Sequence, residues 1–457
     1  MVRRFCFACL SLCLVAFAPV DATAQSPRLA AFVDSIASEY IEAGTLAGMS
    51  VGVVQGSETL LMGTYGHADL EWDVPMPRNA IHEIGSVTKQ FTSVAVLMLW
   101  QQGKIDLDAD MSTYLPEFDT QGRTVTVRRL MDHTSGIKGY TEMGSFGTLA
   151  TQDLSRDTLL ALVGAEPFDF EPGTALIYNN SGFFLLGLII EKVSGQSYSD
   201  YLEQNVFPKA AMDDSSYCSN SVVLKNRAHG YQASQRGLQR APYLNHLWPY
   251  AAGSLCSTVG DLIAWNRALH GGEVLPEEAY RLLVTPEPLE DGTTLRYAKG
   301  ITQHVGPGGP MIGHGGGING FLAESRYYTE EDAIVVVLVN TTGPANPAGI
   351  ANAIGRHLFG DAADPVAGSY PGDLADLVGE FTGPARGRTM TARVAVDGEG
   401  RLTVATQARG GAQPVEFLEG TTFFRGTTRY TFEMEGNAPT RLRLDHVGGH
   451  YVLEARE

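Results

Sequence analysis

Serine and lysine stand three positions apart twice in this chain, at Ser86-Val-Thr-Lys89 and at Ser135-Gly-Ile-Lys138. On a helix this spacing puts both side chains on one face, so an amine can reach the hydroxyl one turn earlier. The chemistry on offer is nucleophilic: a serine acylated by a substrate carbonyl, its proton taken by a lysine whose pKa burial has lowered. Context separates the two pairs. Ser86 opens an apolar run (Val87, Phe91, Val94, Ala95, Met98) that draws Lys89 inward, and a helix N-terminus supplies N–H groups where an oxyanion would form. Ser135 is followed by Gly136, and residues 139–144 continue without an apolar helix pattern, so this pair reads as a structural turn. Taken alone, Ser86 and Lys89 are better explained as a helix cap with a lysine reaching out to water.

Two further stretches change that balance. Tyr178-Asn179-Asn180 lies between Glu171-Pro172-Gly173 and an apolar helix starting at Ser181, which puts its side chains on a loop at a helix mouth. A tyrosine beside an ammonium can hold a lowered pKa and exchange protons with a serine or a leaving group. Asn180 could hydrogen-bond a substrate amide and a lysine together. His314-Gly315-Gly316-Gly317 precedes a strand at Phe321; glycines would let substrate lie against a strand edge and one N–H complete an oxyanion hole. Each motif alone is weak, since Tyr243-Leu-Asn245, His270-Gly-Gly272 and His446-Val-Gly448 repeat the same patterns. Gly48-Met-Ser50-Val-Gly52 fits a nucleophile elbow, but it sits inside a strand running into a hairpin, with no helix straight after. His446 and His450 flank two glycines, which forbid a metal-binding helix. No Walker loop, dinucleotide fingerprint or Cys/His cluster is present, so neither a metal nor another cofactor is expected.

The elements that must position these residues follow from periodicity. Residues 29–43 predict an amphipathic helix, and 49–54 with 59–66 a strand hairpin. Helices are predicted over 87–102, over 181–193 and from about Ser257 to His270, each closed by glycine. Strands return at 321–328 and 333–340, and a last helix covers 348–358. Strands at both ends with helices between imply an α+β fold: one antiparallel sheet assembled from distant segments and flanked by helices. From residue 366 the chain has no lysine and no cysteine. Eight short β patterns there, at 377–381, 391–396, 402–406, 415–418, 423–425, 430–434, 442–445 and 451–455, suggest a small C-terminal β-barrel. The expected division is a domain at 25–360, a linker at 361–366 and the barrel at 367–457.

Arg3 and Arg4 precede a thirteen-residue apolar stretch, and Ala22-Thr23-Ala24 offers small residues for cleavage, so residues 1–24 read as a secretory signal peptide. The expected location is the periplasm or the medium, without a stable membrane span. The chain carries a net charge of −18, and loss of two Arg and one Asp with the leader takes it to −19; binding of nucleic acid by bulk charge is excluded. Beyond the leader only Cys218 and Cys256 remain. In an oxidising compartment they form a disulfide or stay as buried thiols, and the disulfide is the favoured reading.

The ordered set S-V-T-K (86–89), Y-N-N (178–180) and H-G-G (314–316), with "LMDHTSG" (130–136), "EPGTALIYNNSGF" (171–183) and "GHGGGINGF" (313–321), resembles the serine β-lactamase and penicillin-binding protein superfamily. The likeness is to its class C, D,D-peptidase and esterase-like branch and covers roughly residues 28–360. It implies a site between an all-helical region and the sheet, and a C-terminal segment similar to the lipocalin-like domain of some members. Carried over, Ser86 is the acylated nucleophile, Lys89 its activating neighbour, Tyr178 the proton shuttle and Asn180 the residue that positions the substrate amide. The N–H groups of Ser86 and Gly317 would form the oxyanion hole, beside Gly316. His314 and Gly315 stand where β-lactamases carry the lysine and threonine that bind the β-lactam carboxylate, and a histidine is the weaker cationic anchor at neutral pH. The expected function is therefore an exported serine hydrolase acting through an acyl-enzyme on an amide or ester, its substrate a small acyl, peptide or peptidoglycan-derived molecule. The alternatives are a true β-lactamase or D-Ala-D-Ala carboxypeptidase, and a catalytically silent cell-wall or peptide-binding protein.

Overall fold

The computed structural model describes residues 26–361, 367–406 and 411–456. The signal peptide expected at 1–24 and all but the first residue of the expected linker lie outside the described residues.

Helix α1 (Pro27–Glu42) opens with Pro27 at its first position and the Ser26 hydroxyl accepting from the Leu29 N–H. Strands β1 (Gly48–Gln55) and β2 (Glu58–Asp69) form the expected hairpin, turning at Gly56 with φ +52°. The central part of the chain supplies helices α2 (Thr88–Gln101), α3 (Asn180–Ser194) and α4 (Val259–His270). Strands β3 (Thr302–Gly306), β4 (Gly309–Ile318), β5 (Phe321–Tyr328) and β6 (Ala333–Val339) follow, then helix α5 (Pro347–Phe359).

These strands form one sheet in the order β3-β4-β5-β6-β1-β2, with Val74–Pro75 at the far edge and antiparallel pairing throughout. The first and last strands in sequence are thus central neighbours, with Gly52 opposite Val336. On one face Val335, Val337 and Val339 pack with Leu29 and Val33 of α1 and Ile350 and Ile354 of α5. On the other, Ile334, Val336 and Leu338 join Leu262 and Ile263 of α4 and the helical region built on α2 and α3. Covering both faces explains why β6 is apolar at every position instead of alternating. Ser50 lies mid-strand in β1. A Cβ on Gly52 would come 2.4 Å from Val259 Cγ1, so this glycine serves the close approach of α4 and the elbow motif there is packing.

The glycine run 315–317 was expected ahead of a strand, and it lies inside one. Strand β4 extends from Gly309 to Ile318, paired with β5 so that His314 faces Ser325 and Gly317 faces Leu322. Glycines carry no β signal of their own; cross-strand pairing makes this strand.

The C-terminal strands are β7 (Gly379–Ala385), β8 (Arg388–Val396), β9 (Leu402–Thr406), β10 (Glu416–Glu419), β11 (Thr422–Arg425), β12 (Thr428–Glu435), β13 (Ala438–His446) and β14 (Gly449–Ala455). With a two-residue strand at Gln413–Pro414 they make a nine-strand, nearly closed barrel around Phe381, Val394, Val404, Phe423, Phe432 and Leu453. The first β pattern, placed at 377–381, starts instead at Gly379, because Leu374–Leu377 forms a 3-10 turn capped by Asp373. The barrel is stitched to the rest of the chain by its last strand: in β14, Gly449 pairs with Ile177 and His450 with Leu176. Arg296 bonds to the Thr427 and Asp445 carbonyl oxygens, each at 2.8 Å, across the same boundary. Among the described residues no helix is long and apolar enough to cross a membrane.

Candidate active site

The turn that carries Ser86 is held by a small sheet and a disulfide. His82–Glu83 pairs with Leu255–Ser257, which also pairs with Ser216–Tyr217. A disulfide joins Cys218 to Cys256 in this small sheet, with Cα atoms 5.2 Å apart. The chain then enters a 3-10 turn, Gly85–Val87, from which α2 departs. Gly85 has φ +51°, and a Cβ there would lie 2.7 Å from the Gly317 nitrogen, so glycine is required on both counts. Neither the turn nor α2 has a side-chain cap bond, so Ser86 does not serve as a helix cap.

Lys89 is 0 % exposed. Its Nζ lies 3.0 Å from Ser86 Oγ, 2.9 Å from Asn180 Oδ1 and 2.8 Å from the Ala252 carbonyl oxygen. It also sits 4.8 Å from the centre of the Tyr178 ring. Burial, with the positive charge of Arg386 adding to it, holds the Lys89 amine well below its ordinary 10.5, and Glu142 opposes only in part. A neutral amine has two hydrogens and one lone pair. In that form the hydrogens go to Asn180 and Ala252, and the lone pair would face the Ser86 hydroxyl, placed to receive its proton.

Tyr178 follows directly after the Leu176–Ile177 strand that pairs with the barrel. Asn179 caps α3 by accepting from the Gly182 N–H at 2.9 Å, and Asn180 opens that helix. His133 brackets Tyr178: its carbonyl accepts from the Ile177 N–H at 3.2 Å, its Nδ1 accepts from the Asn179 N–H at 3.1 Å, and its ring lies 4.3 Å from the phenol ring. The phenol oxygen is buried and has no hydrogen bond of full geometry, although Ser86 is near enough to oppose the effect of burial. The sequence suggested a lowered phenol pKa beside an ammonium. Burial instead raises it above its ordinary 10, with Ser86 and Arg386 opposing. The cause is burial, which is the largest effect on the phenol and also disfavours the ammonium form of Lys89 that would have stabilised a phenolate.

Asn180 gives its Nδ2 to Thr141 Oγ1 at 3.2 Å while Oδ1 takes the lysine, so its amide is fixed in one orientation. On the opposite wall, β3 pairs with β4 only as far as Gly313, which leaves the edge of β4 from His314 onward open on that side. His314 is buried, its Nε2 3.0 Å from Tyr297 Oη and its Nδ1 2.5 Å from the Gly315 carbonyl oxygen. Burial first, then the charge of Lys89, takes its pKa down to about 3, so at neutral pH this histidine offers no charge. A Cβ on Gly316 would stand 1.9 Å from the Ile84 carbonyl oxygen. The glycines let β4 lie directly against the turn that carries Ser86, with the Gly317 nitrogen close to Gly85.

Ser86, Tyr178, Asn180 and His314–Gly317 line one cavity of about 720 Å³. Lys89 lies beneath it. Strand β5 and the start of α5 add Glu324, Arg326 and Pro347 to the wall, and the barrel adds Arg386 in the β7–β8 turn, His446–Gly448 in the β13–β14 turn, and Tyr451. The sequence did not single out Arg386 for this site. Its Nε bonds to Glu142 Oε1 at 2.6 Å and its guanidinium carbon lies 5.0 Å from the centre of the Tyr178 ring. Glu142, Thr141 and His133 were equally silent, although "LMDHTSG" carried the last of them. The second pair is not brought together: Lys138 forms an ion pair with Asp169 at 2.7 Å, while Ser135 Oγ accepts from the Ile137 N–H. A larger cleft of about 1030 Å³ between β3 and the barrel contains none of these groups.

Residues 33–358 match a family model described as Beta-lactamase. The chain is 26% identical over 325 residues to a D-aminopeptidase of Gluconobacter oxydans (strain 621H), covering 71% of this chain and 60% of that protein. It is 26% identical over 309 residues to penicillin-binding protein 4* of Bacillus subtilis (strain 168), covering 64% and 67%. The solved structure of SurE superposes with a TM-score of 0.66 at 21% identity, covering 93% of this chain and 99% of that one, so its fold likeness extends into the barrel.

Proposed function

From the premise that this chain belongs to the Beta-lactamase family and is a serine hydrolase, we propose that it cleaves amides of modest size, including peptides, and related esters through an acyl-enzyme on Ser86. The observation that carries this reading is the buried Lys89 amine 3.0 Å from Ser86 Oγ. The Ser86 proton passes to the Lys89 amine as Oγ bonds to the substrate carbonyl carbon, and the N–H groups of Ser86 and Gly317 hold the oxyanion. Tyr178, kept as a phenol by burial, gives its proton to the leaving nitrogen as the C–N bond breaks, and Lys89 then returns a proton to Tyr178. In the second half, water gives a proton back through the same pair, its oxygen bonds to the acyl carbon, and Ser86 is released with its hydrogen. The relative named D-aminopeptidase supports amide substrates; the chain spans 60% of that relative's length. Export to the periplasm or medium is part of the same reading, supported by the basic-then-apolar start of the sequence and by the Cys218–Cys256 disulfide.

A D-Ala-D-Ala carboxypeptidase or true β-lactamase is the second reading, favoured by the likeness to penicillin-binding protein 4*. Both are tested by treating the wild type and Ser86→Ala with a fluorophosphonate and a fluorescent penicillin. A Ser86-dependent adduct with the fluorophosphonate alone supports the amidase or esterase reading, and adducts with both support the second. No Ser86-dependent adduct with either probe leaves a silent binding protein and overturns the proposal.

A further inference from the structure

We propose that Arg386, carried into the active site by the barrel, anchors a carboxylate of the substrate, so that the preferred substrates bear a free carboxylate within one or two residues of the bond cleaved. The inference rests on the acyl-enzyme reading of Ser86 and adds a substrate class to it.

Six side chains in or under the cavity wall could carry positive charge there, three of them histidines. Lys89 is wholly buried, with Nζ committed to Ser86, Asn180 and the Ala252 carbonyl oxygen. Arg326 is buried and bonded to Glu324 at 2.7 Å, to Asn352, and to the Ala348 carbonyl oxygen at 3.2 Å. Burial takes His314 down to about 3 and His304 down to about 4, so neither is charged at neutral pH, and His446 Nδ1 accepts from the Gly448 N–H at 3.2 Å. Arg386 combines a permanent charge with access: its side chain is 43% exposed, and its bond to Glu142 runs from Nε, leaving the Nη edge of the guanidinium for a ligand. That edge is the one that grips a carboxylate with two parallel bonds. Glu142, only 11% exposed, fixes the guanidinium from behind and limits the entropy lost when a ligand binds.

Position supports the assignment. The Arg386 guanidinium carbon and Lys89 Nζ lie 5.0 and 4.8 Å from the centre of the same Tyr178 ring. A residue of extended peptide spans about 3.5 Å, so a carboxylate ending the leaving group one or two residues past the scissile carbonyl reaches this distance. The pairing of Glu142 with Arg386 also argues against an ammonium-ended substrate, which would meet the guanidinium before the carboxylate behind it.

The test uses N-acetylated dialanines of D and of L configuration, each as the free carboxylate and as the C-terminal amide, on the full-length wild type, Arg386→Gln and Arg386→Lys. Turnover is measured together with protection of Ser86 from fluorophosphonate. The expected result is a carboxylate preference in the wild type of roughly 10- to 100-fold, the range of a charge-assisted bond. Arg386→Gln erases it by raising KM for the carboxylates alone, and Arg386→Lys keeps part of it. If neither peptide is turned over, the same preference is read as the concentration that protects Ser86. Equal behaviour of carboxylate and amide in the wild type, or equal losses on both in Arg386→Gln, overturns the proposal. So does faster turnover of peptides with a free α-amine that Glu142→Gln abolishes, since Glu142 would then hold an ammonium. Labelling of Ser86 by fluorophosphonate in every variant separates these failures from failure of the acyl-enzyme itself.

Discussion

Replacing Gly316 by alanine is expected to disable Ser86 while leaving the protein folded. The new Cβ would stand 1.9 Å from the Ile84 carbonyl oxygen and 3.0 Å from its carbon, against the 3.4 Å at which ordinary contact begins. The obstacle is backbone. Ile84 is buried between the His82–Glu83 strand and the Gly85–Val87 turn, so no flexible side-chain end can swing aside. Either β4 or the nucleophile turn must retreat by more than the ~0.5 Å a catalytic constellation tolerates, and a misplacement of ~1 Å costs about 100-fold. Gly317→Ala is the control: its Cβ would meet only Leu322 Cδ2, at 3.4 Å, and alanine keeps the N–H. The assay is the second-order rate of fluorophosphonate labelling, with thermal melting to confirm folding after an overpacking cost of about 1–3 kcal/mol. Labelling should fall at least ~100-fold in Gly316→Ala and change little in Gly317→Ala. A Gly316→Ala rate close to wild type would refute the close-approach argument, and equal damage in both variants would show that any side chain on this strand is harmful.

Three further outcomes follow from the same geometry. Tyr178→Phe removes a phenol oxygen that has no hydrogen bond of full geometry, so its melting temperature should match wild type while amide turnover drops by roughly 10²–10⁴; turnover near wild type would take Tyr178 out of the proton path. Because the folded pKa of Lys89 lies well below the unfolded 10.5, acylation should fall as pH drops through that lowered value and show no basic limb below the raised phenol pKa of Tyr178. Between the folded pKa and 10.5 the unfolded chain binds more protons at this site, so its contribution to stability rises with pH across that window; a labelling rate independent of pH on the acid side would exclude Lys89 as the base. Reducing the Cys218–Cys256 bond, which closes a loop across a separation of 38 residues, should cost about 4 kcal/mol by loop entropy. Urea unfolding with and without reductant reads that loss, and unchanged midpoints would show the bond to be dispensable.

Much of the fold is written in local patterns. The apolar run at 333–339, the turn at Gly56 and the caps of α1 and α4 are each set by residues near in sequence. Ser86 could be preferred to Ser135 for the same reason, because the helix that buries its lysine follows at once. What escaped notice depends on partners far along the chain. Strand β4 is made by pairing with β5 and by contact with Ile84, and its glycines hide it from any propensity. Arg386 meets Glu142 across a sequence separation of 244, with no spacing to announce it. The sign of the Tyr178 shift was misjudged because sequence showed the neighbouring charge but not the depth of burial, and burial is the larger effect on both groups.

The barrel adds to the surroundings of these groups. Strand β14 extends the backbone pairing to Leu176–Ile177, the residues directly before Tyr178, and the β7–β8 and β13–β14 turns line the cavity that holds Ser86. Around Ser86 three groups that could carry charge are pushed towards their neutral forms: Lys89 downward, Tyr178 upward and His314 downward. Burial thus favours the form of Lys89 that can accept a proton and the form of Tyr178 that can give one, which is what the proposed proton exchange around Ser86 needs. Opened to water, the same residues would drift towards ordinary values, and a protonated lysine has no lone pair to take the Ser86 hydrogen. Arg386 adds to this from a permanent charge, because its field disfavours a second cation at Lys89. The barrel therefore bears on the site by one physical route that needs no contact with the reacting bond, the placement of a guanidinium beside Tyr178 and within the field of Lys89.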